Sequence, residues 1–240
     1  MARSVAGQNK KMKLITIAGP PSSGKTSVII KTARALKKRG VKIAAVKFDS
    51  LSTFDDLAYK KAGLPVLVGL AGNLCPDHFF AVNIEDCFNW GKTKKIDILI
   101  SESAGLCNRC SPHIAGVMGI CVIDNLAGII TPKKIGPMLK FADVIVITKG
   151  DLVSQAEREV FAFNAAAANP HAKIIFINGI TGQGTRELGE KWLAAAEIGK
   201  IEGKKLRLSL PSAVCPYCVG ETVLDKDYHR GNAKKIAIKK

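Results

Sequence analysis

Residues 19–26 read GPPSSGKT, and this stretch constrains the fold more than any other in the chain. Its pattern is a glycine, four free positions, then glycine, lysine and threonine. An apolar run at 14–18 precedes it and a helix-like segment at 27–38 follows. A strand, a glycine-rich turn and a helix in that order make a phosphate-binding loop. The turn's backbone N–H groups form an anion nest, the helix presents its positive end, and the lysine adds a point charge. The pattern therefore assigns Gly19, Ser22, Ser23, Gly24, Lys25, Thr26 and Ser27 to phosphate binding, with Lys25 at the β and γ phosphates and the Thr26 hydroxyl on Mg²⁺.

The rest of the chain alternates apolar runs and helical patterns as a doubly wound, mostly parallel α/β sheet requires. Strands are expected at 13–18, 41–46, 64–70, 96–100, 117–123, 143–147 and 173–177, and helices at 79–90, 154–168 and 185–198. In such sheets the ligand sits beyond the carboxyl ends of the strands, so the loops there carry the chemistry. The polar loop at 47–56 carries Asp49, a candidate for Mg²⁺ or for orienting water. The strand at 96–100 runs into Ser101 and Glu102, the acidic residue expected near Mg²⁺ and the attacking water. Beyond the strand at 143–147 comes TKGD, in which Asp151 would accept two hydrogen bonds from guanine, flanked by Thr148 and Lys149. The loop opened by Asn178 is suited to covering the base.

Seven cysteines, an odd number, argue against a disulfide framework in a nucleotide-binding chain. Cys75 and His78 share one turn and suit Zn²⁺ or Ni²⁺, against the alternative of a helix-capping Asp77 beside a buried cysteine. Cys107 and Cys110 form a Cys-x-x-Cys pair just after Glu102. That is half a tetrahedral site, which a homodimer would complete for zinc or for a [4Fe–4S] cluster; a redox dithiol is the other reading. Cys215 and Cys218 offer a possible second metal site in a basic extension, residues 199–240, appended to a nucleotide-binding domain of residues 1–198.

No apolar run is long enough for a membrane span, and residues 1–12 lack the apolar core of a secretory signal, so a cytoplasmic protein is expected. The net charge of +16 suggests an anionic partner. Its lysines are scattered without interleaved aromatics, which favours an acidic client protein over nucleic acid.

The order GPPSSGKT, FDSLSTFDD, CPDH, DILISESAG, TKGD and TGQG over residues 13–198 resembles the metallochaperone GTPases of urease-accessory and hydrogenase nickel-incorporation type. The resemblance implies a SIMIBI-type P-loop fold that hydrolyses GTP to GDP with Mg²⁺. It also implies a GTP-dependent homodimer that traps Ni²⁺ or Zn²⁺ and releases it to a client metalloenzyme or accessory protein. On that basis Lys25, Asp49 and Glu102 are the catalytic candidates. The thiols at 107 and 110 depart from the urease-accessory pattern and look more like those of nucleotide-dependent iron–sulfur proteins. An electron donor or reductive activator is accordingly the alternative.

Overall fold

The computed structural model describes residues 11–51, 53–208, 222–225, 227 and 234–238. Seven parallel strands form the central sheet: β1 (Met12–Ala18), β2 (Ile43–Asp49), β3 (Val66–Leu70), β4 (Ile98–Glu102), β5 (Met118–Asp124), β6 (Val144–Thr148) and β7 (Lys173–Ile177), in the order β3-β2-β4-β1-β5-β6-β7. A short β8 (Glu197–Ile198) pairs antiparallel with the start of β1. The inner strands are buried on both faces, as their near-continuous apolar runs require.

Alternation along the strands divides the core. One face turns Ile15, Ile17, Ile98, Ile100, Val122 and Val146 toward α1 (Lys25–Lys37), α7 (Thr185–Ala194) and Tyr59 of α2 (Asp55–Lys61). The other face packs Val46, Phe48 and Leu99 under α3 (Pro76–Thr93), and Cys121, Ile123 and Ile147 under Met138 and Leu139 of α5 (Pro137–Lys140) and Phe161 of α6 (Gln155–Ala168). A further short helix, α4 (Thr131–Lys134), precedes α5. Helix α1 begins at Lys25, two residues earlier than the apolar pattern suggests, because the first turn belongs to the phosphate loop. The helical pattern at 185–198 stops at Ala194, where the chain turns out to form β8. α6 opens on a capping box: the Ser154 hydroxyl accepts from Glu157 N and the Glu157 carboxylate accepts from Ser154 N. Among the described residues no helix is long and apolar enough to cross a membrane.

Described residues beyond 198 are joined to this body. Strands β9 (Lys204–Lys205) and β10 (Val223–Leu224) pair with each other, and Ile201, Leu206 and Leu224 are buried in the core under α3. The Arg207 guanidinium binds Asp143 bidentately, at 2.9 and 2.7 Å, and donates to the carbonyls of Ile114, Val117 and Phe141. Residues 234–238 lie against α3. There the fully buried Asn83 donates to Lys234 O (2.7 Å) and accepts from Ile236 N (2.8 Å), reading an extended segment as a neighbouring strand would. The Cys215 and Cys218 site lies outside the described residues.

His113 is buried between the sheet and α5. Its Nε2–H donates to Met138 O (2.9 Å), so Nδ1 accepts the Thr16 hydroxyl (2.9 Å). Burial pushes its pKa down to about 4, against the opposing pull of the Met138 carbonyl.

Replacing Asn83 with alanine strands the Lys234 carbonyl and the Ile236 amide, and should lower stability by about 1–3 kcal/mol in urea denaturation. The depressed His113 pKa means that the unfolded chain binds the proton more readily. The stability this residue contributes is whole above about pH 6.5 and is lost as pH falls toward about 4. Comparing wild type with His113→Gln in urea at pH 7.5 and pH 5 should show the wild-type advantage shrinking by about 1–2 kcal/mol.

Candidate functional site

The phosphate loop is built by close approaches that only glycine permits. Gly19 has φ 146°, and a Cβ there would lie 2.0 Å from Val122 O; a Cβ on Gly105 would lie 1.7 Å from Gly19 O. The loop after β4 is thereby pressed directly onto the phosphate loop. Ser23 is buried, Ser22 takes φ 60°, and Gly24 takes φ 90° to launch α1, with Ser27 exposed on its first turn. Lys25 Nζ donates to the carbonyls of Gly19 and Pro20, both at 2.8 Å, and so folds back over its own loop. Burial lowers its pKa to about 8, opposed by the Glu102 charge. It remains mostly protonated at neutral pH.

Glu102 ends β4 with no exposure at all. One carboxylate oxygen accepts from Thr26 Oγ1 (2.8 Å) and Lys47 Nζ (2.9 Å), the other from Tyr59 OH (2.5 Å). Lys47 also pairs with Asp55 (2.8 Å) and lies 3.7 Å from Asp49. Burial works against the Lys47 charge, but Glu102 and Asp55 outweigh it and push its pKa up. Burial and the Glu102 charge both hold Tyr59 well above the usual phenol range. The expected residues Thr26, Asp49 and Glu102 thus meet in one place, together with Lys47, Tyr59 and Asp55, which motif reading left out. The register that sets Lys47 against Glu102 across the β2–β4 ladder was invisible before the strand order was known.

On the far side of the loop Thr148 is buried, and its hydroxyl donates to Ser23 O (2.7 Å). It braces the phosphate loop from β6. Lys149, at φ 57°, approaches Asp124 at 3.4 Å. Asp151 is exposed at the edge of a cavity of about 750 Å³, whose lining includes Asn178, Gln183, Gly184 and Phe176. The Asn178 side chain accepts from Ile180 N and Thr181 N, both at 2.9 Å, and so shapes the loop that borders this cavity.

The cysteines sort by burial and neighbours. Cys87 and Cys121 are core thiols pushed up to about 12 by burial. Cys75 immediately precedes α3, Asp77 lies in its first turn, and Cys110 comes in from the loop after β4; one ligand atom of each lies within 4.8 Å of the other two. Cys110 hydrogen-bonds Cys75, which with burial and Asp77 raises its pKa. Asp77 is buried with Oδ1 lacking a hydrogen-bond partner among the described residues; burial and then Cys75 push its pKa up to about 7. Such a set suits a divalent ion of borderline softness. Two of the four expected ligands meet here. His78, buried in the same turn, and Cys107, half-buried, are not in the cluster. Asp77, a helix cap in the alternative reading of this turn, takes their place.

The profile of the "CobW/HypB/UreG, nucleotide-binding domain" matches residues 13–176. An uncharacterized protein of Methanocaldococcus jannaschii is 49% identical over 225 residues, spanning 94% of this chain and 96% of its own. The urease accessory protein UreG of Yersinia pestis is 32% identical, spanning 75% of this chain and 87% of its own. Among solved structures, the hydrogenase maturation factor HypB of Archaeoglobus fulgidus superposes with a TM-score of 0.61 at 25% identity, covering 76% of this chain and 89% of that one. The receptor FtsY of Elizabethkingia anophelis, in complex with GDP, shares the fold at a TM-score of 0.52, covering 72% of this chain and 59% of that one. With its phosphate loop and seven-stranded parallel sheet, the chain belongs to the CobW/HypB/UreG family of P-loop nucleotide-binding proteins.

Proposed function

We propose that this protein is a cytoplasmic GTP-hydrolysing metallochaperone. It takes up a transition-metal ion, nickel before zinc, in a GTP-dependent homodimer and passes it to a client metalloenzyme or accessory protein. One observation carries the reading: the loop that leaves Glu102 at the phosphate site also delivers Cys110 to Cys75 and Asp77. A change at the phosphate and a change at the thiols are therefore displacements of the same short segment. Family membership supports this reading, as does the HypB of Helicobacter pylori, whose structure is described in complex with nickel and which shares the fold at a TM-score of 0.61.

Lys25 leaves its loop carbonyls to bind phosphate oxygens. Asp151, with Lys149 and the loop shaped by Asn178, selects guanine, while Thr148 holds the phosphate loop in place. The oxygen donors of Thr26 and Glu102, already 2.8 Å apart, fit Mg²⁺, with Asp49 at the neighbouring strand end. Held by these oxygens, a bound Mg²⁺ would supply positive charge against the phosphates. Glu102 stays engaged by Lys47 and Tyr59, so the attacking water is oriented and not deprotonated by a strong base.

Convergence of two thiols per chain also suits a [4Fe–4S] cluster shared in a dimer, and an iron–sulfur electron donor or reductive activator is the alternative. The buried Asp77 oxygen favours the divalent ion.

Phosphate release should be faster from GTP than from ATP, and Lys25→Ala should lower kcat/KM by about 100-fold or more. Protein purified anaerobically should be colourless and should bind Ni²⁺ or Zn²⁺ more tightly with a non-hydrolysable GTP analogue than with GDP. Cys110→Ser should abolish that binding and Cys107→Ser should keep it. A brown protein containing inorganic sulfide would replace the metallochaperone by the iron–sulfur reading.

A further inference from the structure

We infer that Lys47 is the positioning residue through which the nucleotide site sets the geometry of the Cys75–Cys110 pair. The inference rests on reading those thiols as the cargo site, and it assigns the coupling to one ammonium group.

Lys47 is almost wholly buried on β2, and its Nζ holds the carboxylates of Glu102 (2.9 Å) and Asp55 (2.8 Å) at once, with Asp49 at 3.7 Å. Each thiol is tied to one of these partners. Glu102 anchors the start of the loop that ends in Cys110. Asp49 and Ser50 anchor the other arm: Ala71 N donates to Asp49 O and Gly72 N to Ser50 O, both at 2.8 Å, just before the chain reaches Cys75. The ammonium is therefore the junction of two arms, and each arm carries a sulfur into the same cluster.

The third partner of Glu102 makes this junction responsive. Thr26 Oγ1 shares one Glu102 oxygen with Lys47, and Thr26 is the residue that a nucleotide's phosphates and cation would recruit. When Thr26 is withdrawn, Lys47 is left as the cationic partner of that oxygen, and its hold divides anew among Glu102, Asp55 and Asp49. Buried ion pairs respond by discrete exchange of partners and not by gradual stretching, since an unpaired buried charge is costly. A two-state junction that both sites bias is the physical requirement for coupling between them. Tyr59, bonded to the other Glu102 oxygen, keeps the carboxylate from following Thr26 freely.

The test uses the full chain and two readouts: the Zn²⁺ affinity with GDP against that with a non-hydrolysable GTP analogue, and the maleimide reactivity of Cys75 and Cys110 in the same two states by peptide mass spectrometry. Wild type should show a nucleotide effect of about 10-fold on each. With each variant saturated by nucleotide, Lys47→Met should reduce both effects to within about twofold, and Lys47→Arg should restore them. Should Lys47→Met fail to fold, Asp55→Asn, a change at a part-exposed side chain, should weaken both effects. Full nucleotide effects in Lys47→Met, or in Asp55→Asn where the first variant fails, overturn the inference. Wild-type thiols that respond to nucleotide without binding Zn²⁺ or Ni²⁺ overturn the cargo reading alone, and loss of that response in Lys47→Met still supports the junction. Wild-type thiols that ignore the nucleotide overturn both.

Discussion

A carboxylate taken wholly out of water must be met by donors, because its desolvation would otherwise outweigh the folding energy it contributes. Glu102 is such a group, and the three side chains that meet it come from three separate elements: Thr26 from α1, Lys47 from β2 and Tyr59 from α2. None of these contacts is local in sequence. They exist because the strand order places β4 between β1 and β2, with Glu102 opposite Ile17 on one side and Lys47 on the other. The phosphate loop, the loop after β2 and the loop after β4 are consequently held as one electrostatic unit. Each depends on the others to keep its charges paired.

The same topology explains why the thiol cluster forms near one end of the sheet. Helix α3 begins just beyond β3, and the loop to Cys110 begins at β4, with only β2 between those strands. The C-terminal residues 234–238 then cover α3 and the outer strand, with Ile236 close over Gly69 of β3. The helix that carries Cys75 and Asp77 is packed on the sheet side and, at Asn83, by residues 234–238.

Much of this was legible in the sequence, for definite reasons. The phosphate loop declares itself because its glycines are imposed by backbone contacts, as at Gly19 against Val122 O. The buried strands declare themselves as apolar runs, and Glu102 and Asp49 as the first acidic residues beyond them. Lys47, Tyr59 and Asp77 did not. A lysine on the last turn of an apolar run reads as the start of a loop, and its burial is intelligible only once two carboxylates from other elements are seen around it. Asp77 follows Cys-Pro at a helix start, where a capping role is the ordinary expectation. Its side chain instead faces two sulfurs, one of them brought from a loop that only tertiary structure places nearby. Thr148 shows the converse: the motif points to the base, and the strand geometry turns the hydroxyl to the phosphate loop.

The donor count of the cluster bears on what it is for. A structural zinc site closes four ligands around the ion and contributes folding energy outright. Here two thiols and one carboxylate converge within a chain whose core is already complete, with Cys87 and Cys121 inert inside it. Three donors on two arms that meet at Lys47 fit the proposed cargo site, because such a site would open and close without unfolding the core. Exchange of a bound ion needs that property, and a structural site lacks it. The arms are short and rigidly tied at their origins, to Glu102 on one side and to the Asp49–Ser50 backbone on the other. A displacement at Glu102 or at the Asp49–Ser50 backbone is thus a displacement at the start of a segment that carries a sulfur.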